Sequence, residues 1–233
     1  MQLQVTEIFK SIQGESTLSG TPCVFIRLTG CNLRCIYCDT VYAYEGGDWL
    51  SIDDILSKID DYNCDLVEIT GGEPLLQDGV YSLIRALLET GKLVLIETNG
   101  SIDIERAQAL KQPMNQVQGK VQDKGSKIQG LKIIMDIKCP DSGMSDKINW
   151  ENLSELDKND EVKFVINSRE DYDWSKEIIK KYSLTDRCHI LMSPVYDNLT
   201  AGELSEWIIN DNLNVRLNLQ IHKYIWGESV RGV

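Results

Sequence analysis

The chain has 233 residues, of which 42% are hydrophobic and 26% charged, and it is predicted to form a single domain over residues 1–233. Its formal net charge of -12 disfavours a broad phosphate-binding face, so we expect a small-molecule or protein partner and no nucleic acid. Its apolar runs are far shorter than the roughly 20 residues of a membrane span, and no signal-like pattern begins the chain. A cytoplasmic protein without a membrane segment is therefore expected.

Apolar, strand-like runs recur along the chain, with amphipathic segments between them. The runs cover residues 23–29, 66–70, 93–97, 131–137, 161–166, 188–192 and 215–220. Because they are almost continuously apolar, they suit a sheet that is covered on both faces. Three amphipathic segments begin with predicted cap pairs, namely Ser51 with Asp54, Ser168 with Asp171 and Thr200 with Glu203. This alternation predicts an α/β fold with a parallel sheet.

Residues 111–130 interrupt the pattern. They are rich in Gln, Lys and Gly and have no clear apolar period, which predicts a long surface loop or insertion.

Three cysteines lie close together in "GCNLRCIYCDT", at Cys31, Cys35 and Cys38. A structural zinc site needs four ligands, and both histidines of the chain lie more than a hundred residues further on. A cubane 4Fe-4S cluster normally takes four thiolates, so three would leave one iron open to an external ligand. The alternative is that three core cysteines share this spacing by coincidence.

Two further polar motifs follow strand-like runs. In "TGGEP", Gly71 and Gly72 would allow the backbone to approach a ligand, and Glu73 offers an acceptor for an ammonium group. In "ETNGS", the polar side chains of Thr98, Asn99 and Ser101 end the next run, where the sites of α/β folds gather. Each motif alone is equally consistent with a polar turn.

The cysteine spacing, with Tyr37 before the third cysteine and "TGGEP" about 30 residues later, resembles the radical S-adenosylmethionine superfamily. The resemblance implies an incomplete TIM-like parallel β/α barrel. It implies that the three cysteines hold a 4Fe-4S cluster, whose fourth iron binds S-adenosylmethionine and whose reduction generates a 5'-deoxyadenosyl radical. An electron donor such as flavodoxin or ferredoxin would then be a partner.

Further stretches narrow the resemblance. "QGE" at residues 13–15, Arg27 before the cysteines, "CDT" at residues 38–40 and the C-terminal "LQIHKYIWGES" resemble the 7-carboxy-7-deazaguanine synthase family. This implies a ring contraction of 6-carboxy-5,6,7,8-tetrahydropterin to 7-carboxy-7-deazaguanine. Ammonia would be lost, in 7-deazapurine biosynthesis of the queuosine type, and S-adenosylmethionine would be regenerated.

The resemblance also implies roles for individual residues and a homodimer. The substrate-binding residues would be Gln13, Gly14, Glu15, Arg27, His222 and the carboxylate of Val233. The residues that bind S-adenosylmethionine would be Gly71, Gly72, Glu73, Thr98, Asn99, Ser101 and Lys138. Thr40 would ligate Mg²⁺ through its hydroxyl group, with Asp39 supporting the loop.

Two other classes remain alternatives at the level of sequence. A glycyl-radical-enzyme activase has a similar cysteine motif, but its substrate is a protein loop and needs no pterin-binding "QGE". A non-enzymatic iron-sulfur protein is the second alternative, although it would be expected to have a fourth protein ligand. Without the resemblance, the residues alone favour Gln13 and Glu15 as turn residues and Arg27 as an exposed strand charge.

Overall fold

The computed structural model describes residues 1–111, 130–227 and 230–232. Nearly all of the predicted insertion at residues 111–130 lies outside the described residues, and so does Val233.

One sheet organises the described part of the chain. Its nine strands are β1 (Gln2–Ile12), β2 (Pro22–Leu28), β3 (Asp48–Ser51), β4 (Leu66–Gly71), β5 (Leu93–Thr98), β6 (Gly130–Ile137), β7 (Glu161–Ile166), β8 (His189–Pro194) and β9 (Arg216–Leu217). Their order is β3-β1-β2-β4-β5-β6-β7-β8-β9. The seven strands β2, β4, β5, β6, β7, β8 and β9 pair in this order as parallel neighbours. At the other end of the sheet, β1 is antiparallel to both β2 and β3.

Helices connect the parallel strands. In the described ranges they are α1 (Ile52–Asp60), α2 (Val80–Glu89), α3 (Glu105–Gln108), α4 (Asn152–Glu155), α5 (Arg169–Tyr182), α6 (Ala201–Asn210) and α7 (Ile221–Trp226). The predicted caps of α1 and α6 are confirmed as reciprocal capping boxes. Ser168 also caps α5, but Asp171 does not reciprocate, because its carboxylate accepts from the backbone of Asp141 and Asn167. None of the described helices is long and apolar enough to cross a membrane.

The predicted fold class is confirmed as an open, incomplete TIM-like β/α barrel, since no pairing between β3 and β9 closes the sheet in the described residues. Each of the seven predicted runs contains a strand, although the last is only two residues long. Strands β1 and β3 were not predicted. The reason for β1 is its sequence, "QLQVTEIFKSI", in which most side chains are only partly buried.

The core lies on both faces of the parallel strands. Val24, Ile69, Ile96, Phe164 and Met192 are each completely buried there. Burial of such a side chain contributes about 1.5–3 kcal/mol, and truncating Phe164 to Ala would cost about 3–5 kcal/mol because a cavity remains. This apolar body holds the strand ends, and the polar residues on them, in fixed positions.

Candidate active site

A cavity of about 480 Å³ opens at the carboxyl ends of the central strands. It is lined by the end of β4, the end of β5, and Lys138, which follows β6. The carboxyl ends of parallel strands are where the binding sites of β/α folds form.

The cysteine loop follows β2 and forms one wall of this cavity. Cys31, Cys35 and Cys38 are partly exposed and line the cavity, whereas Cys23, Cys64, Cys139 and Cys188 are buried elsewhere. The loop is anchored by Gly30 N, which donates to Ala43 O at 2.8 Å, and by Ile36 N, which donates to Ser142 O at 3.0 Å. Partial burial raises the pKa of the Cys31 and Cys35 thiols, and the nearby Lys138 opposes this rise.

The three cysteines of the loop fit a 4Fe-4S cluster better than a single metal ion. Among residues 1–111, 130–227 and 230–232, no three His, Cys, Asp or Glu side chains are placed to hold one metal ion. A cubane instead attaches each thiolate to a different iron, so its ligands need not converge. Gly72 allows the "TGGEP" turn to lie directly against the cysteine loop, because a Cβ at this position would lie 2.2 Å from Gly30 O and 2.6 Å from Cys31 Cβ.

Glu73 is completely buried, and its side chain is not part of the cavity wall, although Gly71 and Gly72 are. Its carboxylate accepts hydrogen bonds from Leu75 N at 3.0 Å, Asn99 N at 2.6 Å and Thr98 Oγ1 at 2.9 Å. Burial raises the pKa of Glu73 to about 7 in spite of these bonds. Through these hydrogen bonds, Glu73 connects the segment after β4 to the end of β5. Its predicted role as an ammonium acceptor stays a prediction.

The "ETNGS" residues divide into two groups. Thr98 and Asn99 line the cavity, and Asn99 Nδ2 lies 3.9 Å from Cys31 Sγ. Ser101 is not in the wall: its hydroxyl donates to Asn99 Oδ1 at 2.6 Å and accepts from Asn32 Nδ2 at 2.8 Å. Ser101 thus orients Asn99.

The opposite wall joins the N-terminal "QGE" loop to the C-terminal helix. Ile221 N donates to Gly14 O at 3.0 Å, and a Cβ on Gly14 would lie 1.9 Å from His222 Nδ1. Glu15 accepts from Gln220 Nε2 at 2.8 Å and from Lys163 Nζ at 2.8 Å. The contact between Glu15 and Gln220 joins residues 205 positions apart in the sequence.

Gln13 is 3% exposed, and its amide group is already engaged by the protein. Its amide oxygen accepts from Glu15 N at 2.9 Å, and its amide nitrogen donates to Glu68. The side chain therefore fixes the conformation of the loop around Glu15.

Arg27 lies on β2 with its guanidinium at the cavity. Its Nε donates to Glu7 Oε1 at 2.7 Å, and the same oxygen accepts from Tyr42 OH at 2.8 Å. Burial lowers the pKa of Arg27, but Tyr42 and Glu7 more than offset this, so the pKa is raised and the group stays cationic. Arg27 is thus positioned to bind an anion.

Thr40 lies at the mouth of the cavity, next to Asp39. Thr40 Oγ1 donates to Asp39 Oδ1 at 2.9 Å, and Lys223 Nζ lies 3.0 Å from Asp39 Oδ2. Burial raises the pKa of Asp39, but Lys223 outweighs it and holds the pKa well below its usual range. The hydroxyl proton of Thr40 is committed to Asp39, which leaves the oxygen lone pairs available to a cation.

A family model described as the radical SAM superfamily matches residues 25–131. A 7-carboxy-7-deazaguanine synthase from Chlorobaculum tepidum is 39% identical over 99% of this chain and 97% of its own length. One from Koribacter versatilis is 37% identical, over 99% of this chain and 100% of its own. The chain belongs to the 7-carboxy-7-deazaguanine synthase family. The crystal structure of QueE from Escherichia coli has the same fold, with a TM-score of 0.71 at 22% identity over 94% of each chain.

Membership in the 7-carboxy-7-deazaguanine synthase family confirms the resemblance predicted from sequence and makes the chain a radical S-adenosylmethionine enzyme. The cavity residues that sequence reasoning missed include the charged side chains of Glu68, Glu97, Asp136 and Lys163. Each is a charged residue within a mainly apolar strand run, and that sequence signal was available. Such a charge must find a partner within the sheet, since an isolated buried charge is costly.

Proposed function

We propose that the protein converts 6-carboxy-5,6,7,8-tetrahydropterin to 7-carboxy-7-deazaguanine with loss of ammonia, in 7-deazapurine biosynthesis of the queuosine type. The observation that carries the proposal is that one cavity joins the three partly exposed cysteines to Glu15 and Arg27. A carboxylate and a guanidinium complement a pterin, which has a guanidine-like donor edge and a carboxylate substituent.

Cys31, Cys35 and Cys38 would hold the 4Fe-4S cluster. When bound, the cluster and S-adenosylmethionine supply a 5'-deoxyadenosyl radical. Gly71 and Gly72 allow the "TGGEP" turn to pack closely against β2 and the cysteine loop, because a Cβ on either would lie 2.2 Å from a backbone oxygen there. Both line the cavity and would border the nucleotide. Thr98, Asn99 and Lys138 line the same part of the cavity. Asn99 and Lys138 would supply hydrogen-bond donors for the ribose and carboxylate, whereas the hydroxyl group of Thr98 donates to Glu73 and would offer the nucleotide an acceptor.

The substrate would lie between Arg27 and the wall formed by residues 13–15 and His222. Arg27 would bind its carboxylate, and Glu15 would accept from the guanidine-like edge. Burial lowers the pKa of His222 although Glu15 opposes the shift, so its imidazole is neutral near pH 7. His222 would then orient the pterin as a neutral hydrogen-bonding partner. The Val233 carboxylate, beyond the described residues, would add an acceptor, and a C-terminal extension that left turnover unchanged would refute this.

Thr40 would contribute its oxygen to Mg²⁺ together with water and the substrate. Mg²⁺ commonly binds through one or two protein oxygens and retains several waters, so a site with few protein ligands suits it. Asp39 and Lys223 would support Thr40 from behind.

The remaining elements of the proposal concern the protein as a whole. We propose a single domain over residues 1–233, a homodimer, a cytoplasmic location, and flavodoxin or ferredoxin as the electron donor. The cavity suits a small molecule better than a protein loop, because the C-terminal helix α7 packs against the "QGE" loop and the two together form one wall of the cavity. This favours the synthase over an activase of glycyl-radical enzymes.

The test is an anaerobic reaction after reconstitution with iron and sulfide. S-adenosylmethionine, Mg²⁺, a reductant and 6-carboxytetrahydropterin are added, and the products are followed by mass spectrometry. We expect 7-carboxy-7-deazaguanine from the unaltered protein and from Cys188→Ala, whose thiol is buried away from the cavity, but none from Cys35→Ala. Formation of 5'-deoxyadenosine with the pterin left intact would show that the substrate assignment is wrong.

A further inference from the structure

A single buried ammonium group connects three elements beneath the proposed substrate position. Lys163 lies on β7, and its side chain is 7% exposed. Its Nζ lies 2.8 Å from Glu15 Oε2, contacts Glu97 Oε1, and lies 3.4 Å from Asp136 Oδ2. These carboxylates come from the "QGE" loop, β5 and β6. No other described lysine or arginine forms ion pairs with three carboxylates in the cavity.

The neighbouring charges do not replace Lys163. Lys138 Nζ lies 2.9 Å from Asp136 Oδ2, so Asp136 has a cation of its own. Glu15 and Glu97 have no other cation within ion-pair distance among the described residues. Three further groups face them: Glu68 on β4 acts electrostatically on both Glu15 and Glu97, Arg27 on β2 acts on Glu97, and His222 on α7 acts on Glu15.

The carboxylates of Glu15 and Glu97 face the cavity, and their hydrogen bonds to the protein hold them there. Glu15 is held by Lys163 and Gln220 from the side, and Glu97 accepts from Thr70 Oγ1 at 3.1 Å. Both glutamates line the cavity, with lone pairs remaining for a ligand. The site therefore presents two neighbouring acceptors whose separation is fixed by one ammonium group.

We propose that Lys163 is a positioning residue that keeps Glu15 charged and Glu97 beside it, so that the cavity takes a heterocycle with adjacent N–H donors. This inference rests on the proposed function. It adds a determinant of substrate recognition that does not itself touch the pterin.

Glu15 depends on Lys163 for its charge because it is buried in surroundings of low dielectric constant. Burial by itself raises the pKa of Glu15, and Lys163 is the main group that reverses this and lowers it. Without Lys163, the main cation that offsets the burial of Glu15 is gone and the Glu97 carboxylate still lies beside it, so Glu15 takes up a proton. A protonated Glu15 presents a hydroxyl group to the donor edge of the pterin, so affinity falls. Raising the pH removes that proton and restores affinity.

The experiment compares Lys163→Gln with Lys132→Gln in the reconstituted holoenzyme. Lys132 is the matched control, because it is also a partly buried strand lysine, 2.8 Å from Glu161 Oε1, but it does not line the cavity. Binding of 6-carboxytetrahydropterin is measured by anaerobic calorimetry between about pH 6 and 9. We expect Lys163→Gln to lose about tenfold or more in affinity at pH 7 and to recover as the pH rises. Lys132→Gln should bind as the unaltered protein does.

An infrared titration without pterin provides a second readout. Lys163→Gln should show one more protonated carboxyl group at pH 7 than the unaltered holoenzyme, and the signal should disappear in Lys163→Gln/Glu15→Gln. If no such carboxyl group appears, or if Lys163→Gln binds pterin normally at every pH, the inference is wrong. Failure of the unaltered protein to bind pterin would refute the proposed function, and the infrared result would still decide the role of Lys163.

A folding defect in Lys163→Gln would be addressed with Lys163→Gln/Glu97→Gln, which removes one negative charge with the positive one. The inference expects this double variant to bind pterin more weakly than Glu97→Gln alone. Equal affinities for the two would overturn it.

Discussion

Lys223 Nζ lies 3.0 Å from Asp39 Oδ2, and this ion pair connects α7, near the C-terminus, to the loop that carries the cysteines. The other oxygen of Asp39 accepts the hydroxyl proton of Thr40 at 2.9 Å. The orientation of the proposed Mg²⁺ ligand thus depends on a residue 184 positions from Asp39 in the sequence.

Replacing Lys223 tests this dependence. In Lys223→Met, Asp39 loses its cation and Thr40 loses a fixed hydrogen-bond partner, so we expect Mg²⁺ affinity to fall by roughly 10-fold. The measurement is the Mg²⁺ concentration that gives half-maximal turnover, supported by calorimetric titration of Mg²⁺ in the presence of pterin. Lys58→Met, on the exposed side of α1, is the control. An unchanged Mg²⁺ requirement in Lys223→Met would contradict the prediction.

Gly72→Ala should disrupt the approach of the "TGGEP" turn to the cysteine loop. The added Cβ would lie 2.2 Å from Gly30 O, which is backbone and cannot rotate away. We expect a smaller iron content after reconstitution and weaker binding of S-adenosylmethionine, measured by iron analysis and equilibrium dialysis. Gly202→Ala is the control, because only Thr200 Oγ1 lies near its Cβ, at 3.9 Å, and it lies in α6. That variant should be as stable or slightly more stable, by up to about 1 kcal/mol.

Glu73 predicts a pH dependence of stability. Burial raises its pKa from the ordinary value of 4.5 to about 7 in the folded protein, so the folded state binds the proton more tightly. Stability should therefore fall as the pH rises from about 4.5 to about 7, by roughly 3 kcal/mol, and change little above that range. Urea unfolding of the apoprotein across this range, with Glu73→Gln for comparison, provides the measurement. Equal pH slopes in the two proteins would show that folding does not shift the pKa of Glu73.

Gly14→Ala should affect the pterin end of the cavity and leave the cluster end intact. Its Cβ would lie 1.9 Å from His222 Nδ1, so the imidazole must move. We expect KM for the pterin to rise by about tenfold, which corresponds to about 1.4 kcal/mol, with normal iron content. Steady-state kinetics and iron analysis separate the two effects. A normal KM together with a displaced His222 would remove His222 from the substrate site.

Sequence patterns predicted the cluster end of the site well, because its residues are close together in the chain. Cys31, Cys35 and Cys38 share one loop, and Gly72 follows a strand that is parallel to β2. Local spacing was therefore enough to indicate the chemistry of this region. By contrast, the ion pairs of Lys163 with Glu97 and Asp136 depend on the register of three neighbouring strands, and spacing along the chain does not contain that information.

Side-chain roles were also harder to predict than residue positions. Gln13 belongs to the cavity as expected, but its amide is used to hold Glu15 and Glu68. Glu73 is predicted to accept from an ammonium group, and in the structure its carboxylate also accepts hydrogen bonds from Leu75 N, after β4, and from Asn99 N, after β5. A sequence motif identifies the segment, whereas the packing of both strands decides which atoms of that segment remain free.

The hydrogen bond between Ile221 and Gly14 has a consequence for synthesis on the ribosome. The cysteine loop and "TGGEP" emerge early, but the wall that contains Glu15 waits for Gln220, about 200 residues later. Contacts of such sequence separation form late, since the intervening chain must first be ordered. A nascent or truncated chain would therefore have the cluster ligands but an unfinished substrate wall, and radical chemistry would have to wait for chain completion.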